Sequence, residues 1–169
     1  MTIRLEQPED QAAVYQVNAI AFGRDHEAEL VARLRGLPQT LSLVAVEGDA
    51  IVGHIFFSPV TLEGVDADRQ LFLGLGPIAV LPDHQRQGIG TQLTLQGVEQ
   101  CRQRGAKSVV VLGNPQFYIR FGFIPAAEKG LRCEYRVPEG AFQVLELAPG
   151  ALEHCWGLVQ YRPEFADCE

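Results

Sequence analysis

Leu71-Phe72-Leu73-Gly74-Leu75-Gly76-Pro77-Ile78-Ala79-Val80 is an apolar run; Leu81-Pro82-Asp83-His84 then leads into Gln85-Arg86-Gln87-Gly88-Ile89-Gly90. The run has the length and composition of a strand, and the pattern after Gly90 has the spacing of a helix. Between them, Gly88 and Gly90 allow positive φ and let backbone N–H groups approach a ligand closely. A helix N-terminus adds N–H groups without helical partners and roughly half a positive charge, and Arg86 brings a full cation to the same place. A strand, an anion-binding turn and a helix are therefore expected in that order.

Two familiar phosphate loops do not fit. A dinucleotide fingerprint needs a small residue three positions after Gly90, where the chain has Leu93. A Walker loop needs Gly-Lys followed by Ser or Thr, and the sequence contains no Gly-Lys pair.

The helix expected from Gly90 to Arg104 turns Ile89, Leu93, Val98 and Cys101 inward, with Gly97 permitting close packing, and Gly105 ends it. Ser108 to Leu112 is a continuously apolar strand of the kind covered on both faces, so strand, helix and strand form a parallel right-handed unit. Next, Asn114 is a helix N-cap and Pro115 a first helical residue, opening about two turns that Gly122 closes. Phe117 and Phe121 share one face of that helix, and Tyr118 lies about 100° around from Phe117.

Upstream, Ile3 to Gln7 is a strand stopped by Pro8, followed by a helix burying Val14, Val17, Ile20 and Ala21. A second helix has Asp25 as N-cap, Leu30, Val31 and Leu34 on its apolar face, and Gly36 and Pro38 as stops. Leu41 to Glu47 and Ile51 to Leu62 pair through a turn at Gly48-Asp49. With Leu71 to Val80 they make three consecutive antiparallel strands, so the sheet is mixed. Gly74, Gly76 and Pro77 predict a bulge in the third of these. Downstream, Arg132 to Val137, Phe142 to Leu147 and Trp156 to Tyr161 are the remaining strand candidates, with turns at Pro138-Glu139-Gly140 and Pro149-Gly150. The expected architecture is one α/β domain over residues 1–169, with a core from about 3 to 150, a short C-terminal extension, and helices flanking a central, mostly antiparallel sheet.

Composition narrows the function. Net charge is −7 with 14 Lys and Arg, and no basic run is present, which argues against nucleic acid and anionic membrane surfaces as partners. No apolar run approaches the roughly 20 residues that span a bilayer, and the start lacks the layout of a secretion signal, so the cytoplasm is the expected compartment. Cys101, Cys133, Cys155 and Cys168 form no C-x-x-C pair, and His26, His54, His84 and His154 have no ligand spacing. No metal site is expected.

Gln85-x-x-Gly88-x-Gly90, preceded by Ile78-Ala79-Val80-Leu81-Pro82, resembles the acetyl-CoA signature of the GCN5-related N-acetyltransferases, the GNAT family. Gly113-Asn114-Pro115 followed by Phe117-Tyr118-Ile119-Arg120-Phe121-Gly122-Phe123 is similar to that family's tyrosine-bearing segment. The resemblance implies a GNAT-like fold that transfers an acetyl group from acetyl-CoA to a primary amine. It places the cofactor against Ile78, Ala79 and Val80, the diphosphate on Gln85, Arg86, Gln87, Gly88, Ile89, Gly90 and Thr91, and the pantetheine end near Asn114, Phe117, Tyr118 and Phe121. Tyr118 is then the general acid to the departing thiolate. Its unperturbed pKa of about 10 keeps it protonated near neutral pH.

The acceptor is less patterned. Glu27, in the first turn of the second helix, and His54, among apolar neighbours in the middle strand, are candidate substrate-binding residues. Read without the resemblance, the first is a solvated helix end and the second a core histidine. The strand from Leu71 to Val80 offers no Asp or Glu as a base, so none is assigned. The expected protein is a monomer or homodimer acting on a small-molecule or peptide amine. A non-catalytic acyl-CoA-binding or regulatory module of the same fold is the alternative.

Overall fold

The computed structural model describes residues 1–168, the side chain of Cys168 excepted. The chain forms two compact units. One comprises Met1–Ser58, Gly76–Glu99 and the segment from Pro163; the other comprises Pro59–Leu75 and Gln100–Arg162. Three elements run from one into the other: β3 (Ala50–Leu62), β4 (Phe72–Val80) and α3 (Ile89–Gln103).

In the first unit, β1 (Thr2–Leu5), β2 (Leu41–Glu47) and β3 form an antiparallel ladder. Glu47 pairs with Ala50 across the expected Gly48-Asp49 turn, where Gly48 takes φ +62°. Alternation along these strands sends Val44 and Phe56 to one face. There α1 (Gln11–Phe22) and α2 (His26–Leu34) bury Val14, Leu30, Val31 and Leu34 against them. Ala45, Gly53 and Phe57 point to α3: a Cβ on Gly53 would lie 3.1 Å from both Ile89 and Leu93 and 3.3 Å from Ala45 Cβ. Pro8 starts the first turn as expected, but that turn is a tight 3-10 segment, Pro8–Asp10, before α1 begins. Asp10 fixes it by accepting from the Gln7 amide at 2.7 Å while paired with Arg4 at 2.6 Å.

Two expectations for these helices are corrected. Ile20 is 53% exposed, because α1 presents only a narrow stripe, through Val14, Val17 and Asn18, to the sheet. Asp25 precedes α2 in a helical conformation and its side chain makes no cap bond; its carbonyl instead accepts the first helical bond, from the Glu29 amide.

In the second unit, Phe72–Leu75 of β4 pairs in parallel with Ser108–Val111 of β5 (Ser108–Leu112). The strands β5 and β8 (Phe142–Glu146) are antiparallel, as are β6 (Ile124–Pro125) and β8. A smaller ladder joins the end of β3 to β9 (Gly157–Gln160), and β9 in parallel to β7 (Leu131–Cys133). The sheet is therefore mixed, as expected, although β7 and β9 are shorter than the sequence implies. Trp156 falls just before β9 and is 66% exposed.

Of the interruption expected at Gly74, Gly76 and Pro77, the lapse in pairing with β5 falls after Leu75, and Gly74 itself is regular on that side. Gly74 stands in register opposite Val110, and it is glycine because Tyr161 fills the place of a side chain: a Cβ would come within 2.8 Å of the ring. The β4–β5 ladder ends at Leu75, one residue before the Gly76–Pro77 peptide, while β4 itself continues to Val80.

Helix α3 matches the expected pattern. Ile89, Leu93, Val98 and Cys101 are buried, and Gly105 closes the helix at φ +84°. Gly97 lies against Phe57, where a Cβ would come within 2.6 Å of a fully buried ring. Gly97→Val is accordingly expected to lose at least about 2 kcal/mol through overpacking, lowering the calorimetric melting temperature by several degrees. An unchanged melting temperature would mean that Phe57 can move aside.

Candidate functional site

The glycine turn belongs to the first unit. After β4, Pro82–His84 makes one 3-10 turn, and the Gln85 side chain folds back to donate to the Val80 carbonyl at 3.0 Å. Arg86 and Gly88 both take positive φ, +63° and +85°, which turns the backbone sharply into α3. The Gln92 amide makes a helical bond to Gly88 at 3.0 Å, so the amides of Ile89 and Gly90 belong to the first turn, which has no partners within the helix. Gln85, Arg86, Gln87 and Gly88 are exposed, and Ile89 anchors the turn in the core. Nothing lies within 4 Å of a Cβ built on Gly88. An exposed turn with bared amides, a helix N-terminus and a guanidinium is an anion site in physical terms. Just upstream, buried Ala79 alternates with half-buried Ile78 and Val80, so one side of that strand is partly open.

The aromatic turn belongs to the second unit. Asn114 caps it, its Oδ1 accepting from the Gln116 amide at 2.9 Å, and Pro115 takes the first helical position as expected. The helix α4 (Pro115–Tyr118) passes into a 3-10 turn, Ile119–Phe121, which Gly122 ends at φ +95°. Phe117 and Phe121 share a face with ring centroids 5.2 Å apart, and Arg120 lies over both rings at 4.8 and 5.4 Å. Tyr118 turns the other way and is 5% exposed. Its ring occupies the space of a Cβ on Gly113, 2.6 Å away, and meets Phe117 and Phe123 edge-on at 4.9 and 5.5 Å. Burial pushes the phenol up to about 12, so Tyr118 holds its proton throughout the neutral range.

Of the acceptor candidates, His54 is fully buried. Asn18 Nδ2 donates to the Val14 carbonyl and to His54 Nδ1, both at 3.0 Å, which makes Nδ1 an acceptor and leaves Nε2–H to donate to Ser42 Oγ at 2.8 Å. Neither ring nitrogen is available to a substrate while these bonds stand. Asn18 and Ser42 are polar partners the sequence does not announce; Asn18 sits one helical turn after Val14 on the buried stripe, which is the only signal for it. Glu27 is also largely buried and is held by Arg24 at 2.9 and 2.5 Å.

Desolvation, with a smaller contribution from Arg35, pushes His54 down to about 3. A depressed pKa means that the neutral ring's stabilisation is complete above the unfolded value of about 6.5 and is lost as pH falls below it, by up to about 1.4 kcal/mol per pH unit. Melting temperature is expected to fall steadily from pH 6.5 to 4.5, and His54→Gln to flatten that decline. Asp10, also depressed, titrates below this window. A wild-type melting temperature that is flat over these two units would contradict a neutral buried ring.

Among the described residues no cluster of His, Cys, Asp or Glu could hold a metal ion, and no helix is long and apolar enough to cross a membrane.

Known proteins match the chain in sequence and in fold. The Acetyltransferase (GNAT) family pattern matches residues 11–123. YhbS of Escherichia coli K12, an uncharacterized N-acetyltransferase, is 39% identical over 168 residues, 98% of each chain. YjhQ of the same organism, likewise an uncharacterized N-acetyltransferase, is 37% identical over 142 residues, 82% of this chain and 78% of YjhQ. The crystal structure of E. coli YhbS in complex with CoA superposes with a TM-score of 0.90 at 38% identity, covering 98% of this chain and 91% of that one. A GNAT family acetyltransferase from Brucella melitensis in complex with acetyl-CoA superposes at 0.78 with 37% identity, covering 97% of each chain.

Proposed function

Because the chain belongs to the GNAT family of acetyltransferases, we propose that it transfers the acetyl group of acetyl-CoA directly to a primary amine, with Tyr118 protonating the departing thiolate. What supports Tyr118's part is its placement: the turn capped by Asn114 holds its phenol ring against Gly113, Phe117 and Phe123.

In this reading the diphosphate lies on the turn from Gln85 to Thr91, neutralised by Arg86 and the first amides of α3. Ile78, Ala79 and Val80, on the half-open side of β4, are proposed to bind the pantetheine, and Asn114, Phe117 and Phe121 are further proposed cofactor contacts. The amine nitrogen attacks the thioester carbonyl carbon, and a backbone N–H of β4 near Ile78 or Val80 stabilises the oxygen as it gains charge. The C–S bond then breaks with its electron pair going to sulfur. Sulfur takes the phenolic proton, and the phenolate recovers one from the acylated nitrogen. On the acceptor side, Glu27 with Arg24 forms the charged rim, and His54, closed in behind α1, supports that wall without touching the amine. The reading places the protein in the cytoplasm, where free cysteines such as Cys101 and Cys155 stay reduced.

Thiol release from acetyl-CoA across a panel of amines tests this. Steady release with at least one amine, absent without enzyme, is the expected result. Tight CoA binding with no release for any amine or for water would overturn it.

A further inference from the structure

In the first unit the sheet face under α1 does not close completely. Between α1 and the turn that joins β2 to β3 lies an open pocket of about 480 Å³, a size ordinary for small-molecule sites. Its floor is apolar: Val17 and Ile20 of α1, Val46 of β2, Ile51 of β3 and Leu81 just past β4. Val46 and Ile51 also pack against the buried cluster around Val14, Val44 and Phe56, so the floor is an exposed margin of the core. Water covering such a surface is readily displaced by hydrocarbon.

The walls are charged, and the charges do not balance. Arg4 Nη1 and Nη2 donate to Asp10 Oδ2 and Oδ1 at 2.6 and 3.1 Å, and Nη1 also donates to the Leu5 carbonyl at 3.1 Å. Asp10 in turn accepts from the Gln7 amide at 2.7 Å. That pair is satisfied internally. Glu9, in the 3-10 turn, and Asp49, in the β2–β3 turn, line the same pocket; both are exposed, and neither side chain has a hydrogen-bond or ion-pair partner among the described residues. Three carboxylates therefore face one guanidinium. An anion would meet this excess with the guanidinium already engaged, and a neutral apolar molecule would use the floor alone. A cation with an apolar body uses both. No aromatic ring lines the pocket, so the cation is recognised through N–H donors to carboxylates and not through a π face.

We propose that this pocket is a binding site for a small organic cation, a protonated alkylamine whose hydrocarbon body covers Ile20, Val46 and Ile51 while its N–H donates to Glu9 or Asp49. The site stands apart from the acetyl transfer: none of its lining residues is assigned to the cofactor, to Tyr118's role or to the acceptor rim. Binding there makes and breaks no covalent bond.

Amide chemical-shift titration of the full chain with N,N-dimethylhexylammonium tests it. This tertiary amine is protonated at neutral pH and forms no stable N-acetyl product, so the transfer reaction does not consume it. Saturable shifts are expected at Val17, Ile20, Val46, Ile51 and Leu81, with hexan-1-ol binding about tenfold more weakly and hexanoate not detectably. Glu9→Gln and Asp49→Asn are each expected to weaken the amine about threefold, and added salt to weaken it further. Ile20→Lys, which sets a cation on an exposed edge of the floor, is expected to abolish binding and to leave thiol release from acetyl-CoA unchanged. Shifts confined to residues around Glu27 would put the amine at the acceptor rim and overturn the proposal. Equal affinities for the amine and hexan-1-ol, affinity unmoved by both carboxylate substitutions, or no saturable shift with millimolar amine would overturn it as well.

Discussion

Tyr118→Phe is expected to bind CoA almost as the parent does and to turn over roughly a hundredfold more slowly, or worse, the usual range for loss of a general acid. The substitution removes one oxygen and keeps the ring. The packing on Gly113, Phe117 and Phe123 therefore stays, and burying a phenyl in place of a phenol costs the core little. What is lost is the proton donor, and a hundredfold corresponds to about 2.7 kcal/mol of transition-state stabilisation. Calorimetric titration of CoA checks the first half, and single-turnover thiol release, which isolates chemistry from product release, checks the second. Undiminished single-turnover rates would remove Tyr118 from the mechanism whatever its position.

Gly88→Glu and Gly90→Glu are expected to abolish measurable CoA binding. At Gly88 the backbone holds φ +85°, which a side chain other than Asn or Asp adopts only with strain of about 1–2 kcal/mol. A Cβ there meets nothing within 4 Å, so the fold itself has room for it. The larger effect is electrostatic: a carboxylate is placed where the diphosphate is proposed to sit, and two like charges replace an anion on bare amides. Gly88→Asn separates the causes, since Asn tolerates positive φ and carries no charge, and it should retain most of the affinity. Calorimetry at low and high salt provides the check, because residual repulsion in the Glu variants should weaken as salt rises. Wild-type affinity in Gly88→Glu would remove this turn from the cofactor site.

Much of the fold is legible in the sequence where the signal is local. Ser108 to Leu112 and Leu41 to Glu47 appear at the expected residues, because each is an apolar run between strong turn or helix-stop signals. The Asn114-Pro115 start and the Gly122 stop are likewise where cap chemistry puts them. Expectations failed where distant residues decide. Nothing local in the sequence says that Gly74 is glycine because Tyr161, far along the chain, needs its space. Ile20 has helical spacing but lines an open pocket with Val17, Val46, Ile51 and Leu81 instead of the closed core. His54 looks reactive or inert on sequence alone, and only Asn18 and Ser42, brought in from α1 and β2, fix its tautomer and close it off. The turn after β4 is legible in the same way as the caps, because its glycines and the helix start are contiguous, whereas the acceptor side is assembled from segments with no common pattern.

Trp156 has a practical bearing on all of these measurements. It is the chain's single tryptophan and stands largely in water beside β9. Its indole emission in the native protein should already resemble that of a solvated side chain, so unfolding will shift the fluorescence maximum very little. A fluorescence trace would therefore understate the cooperativity of the core.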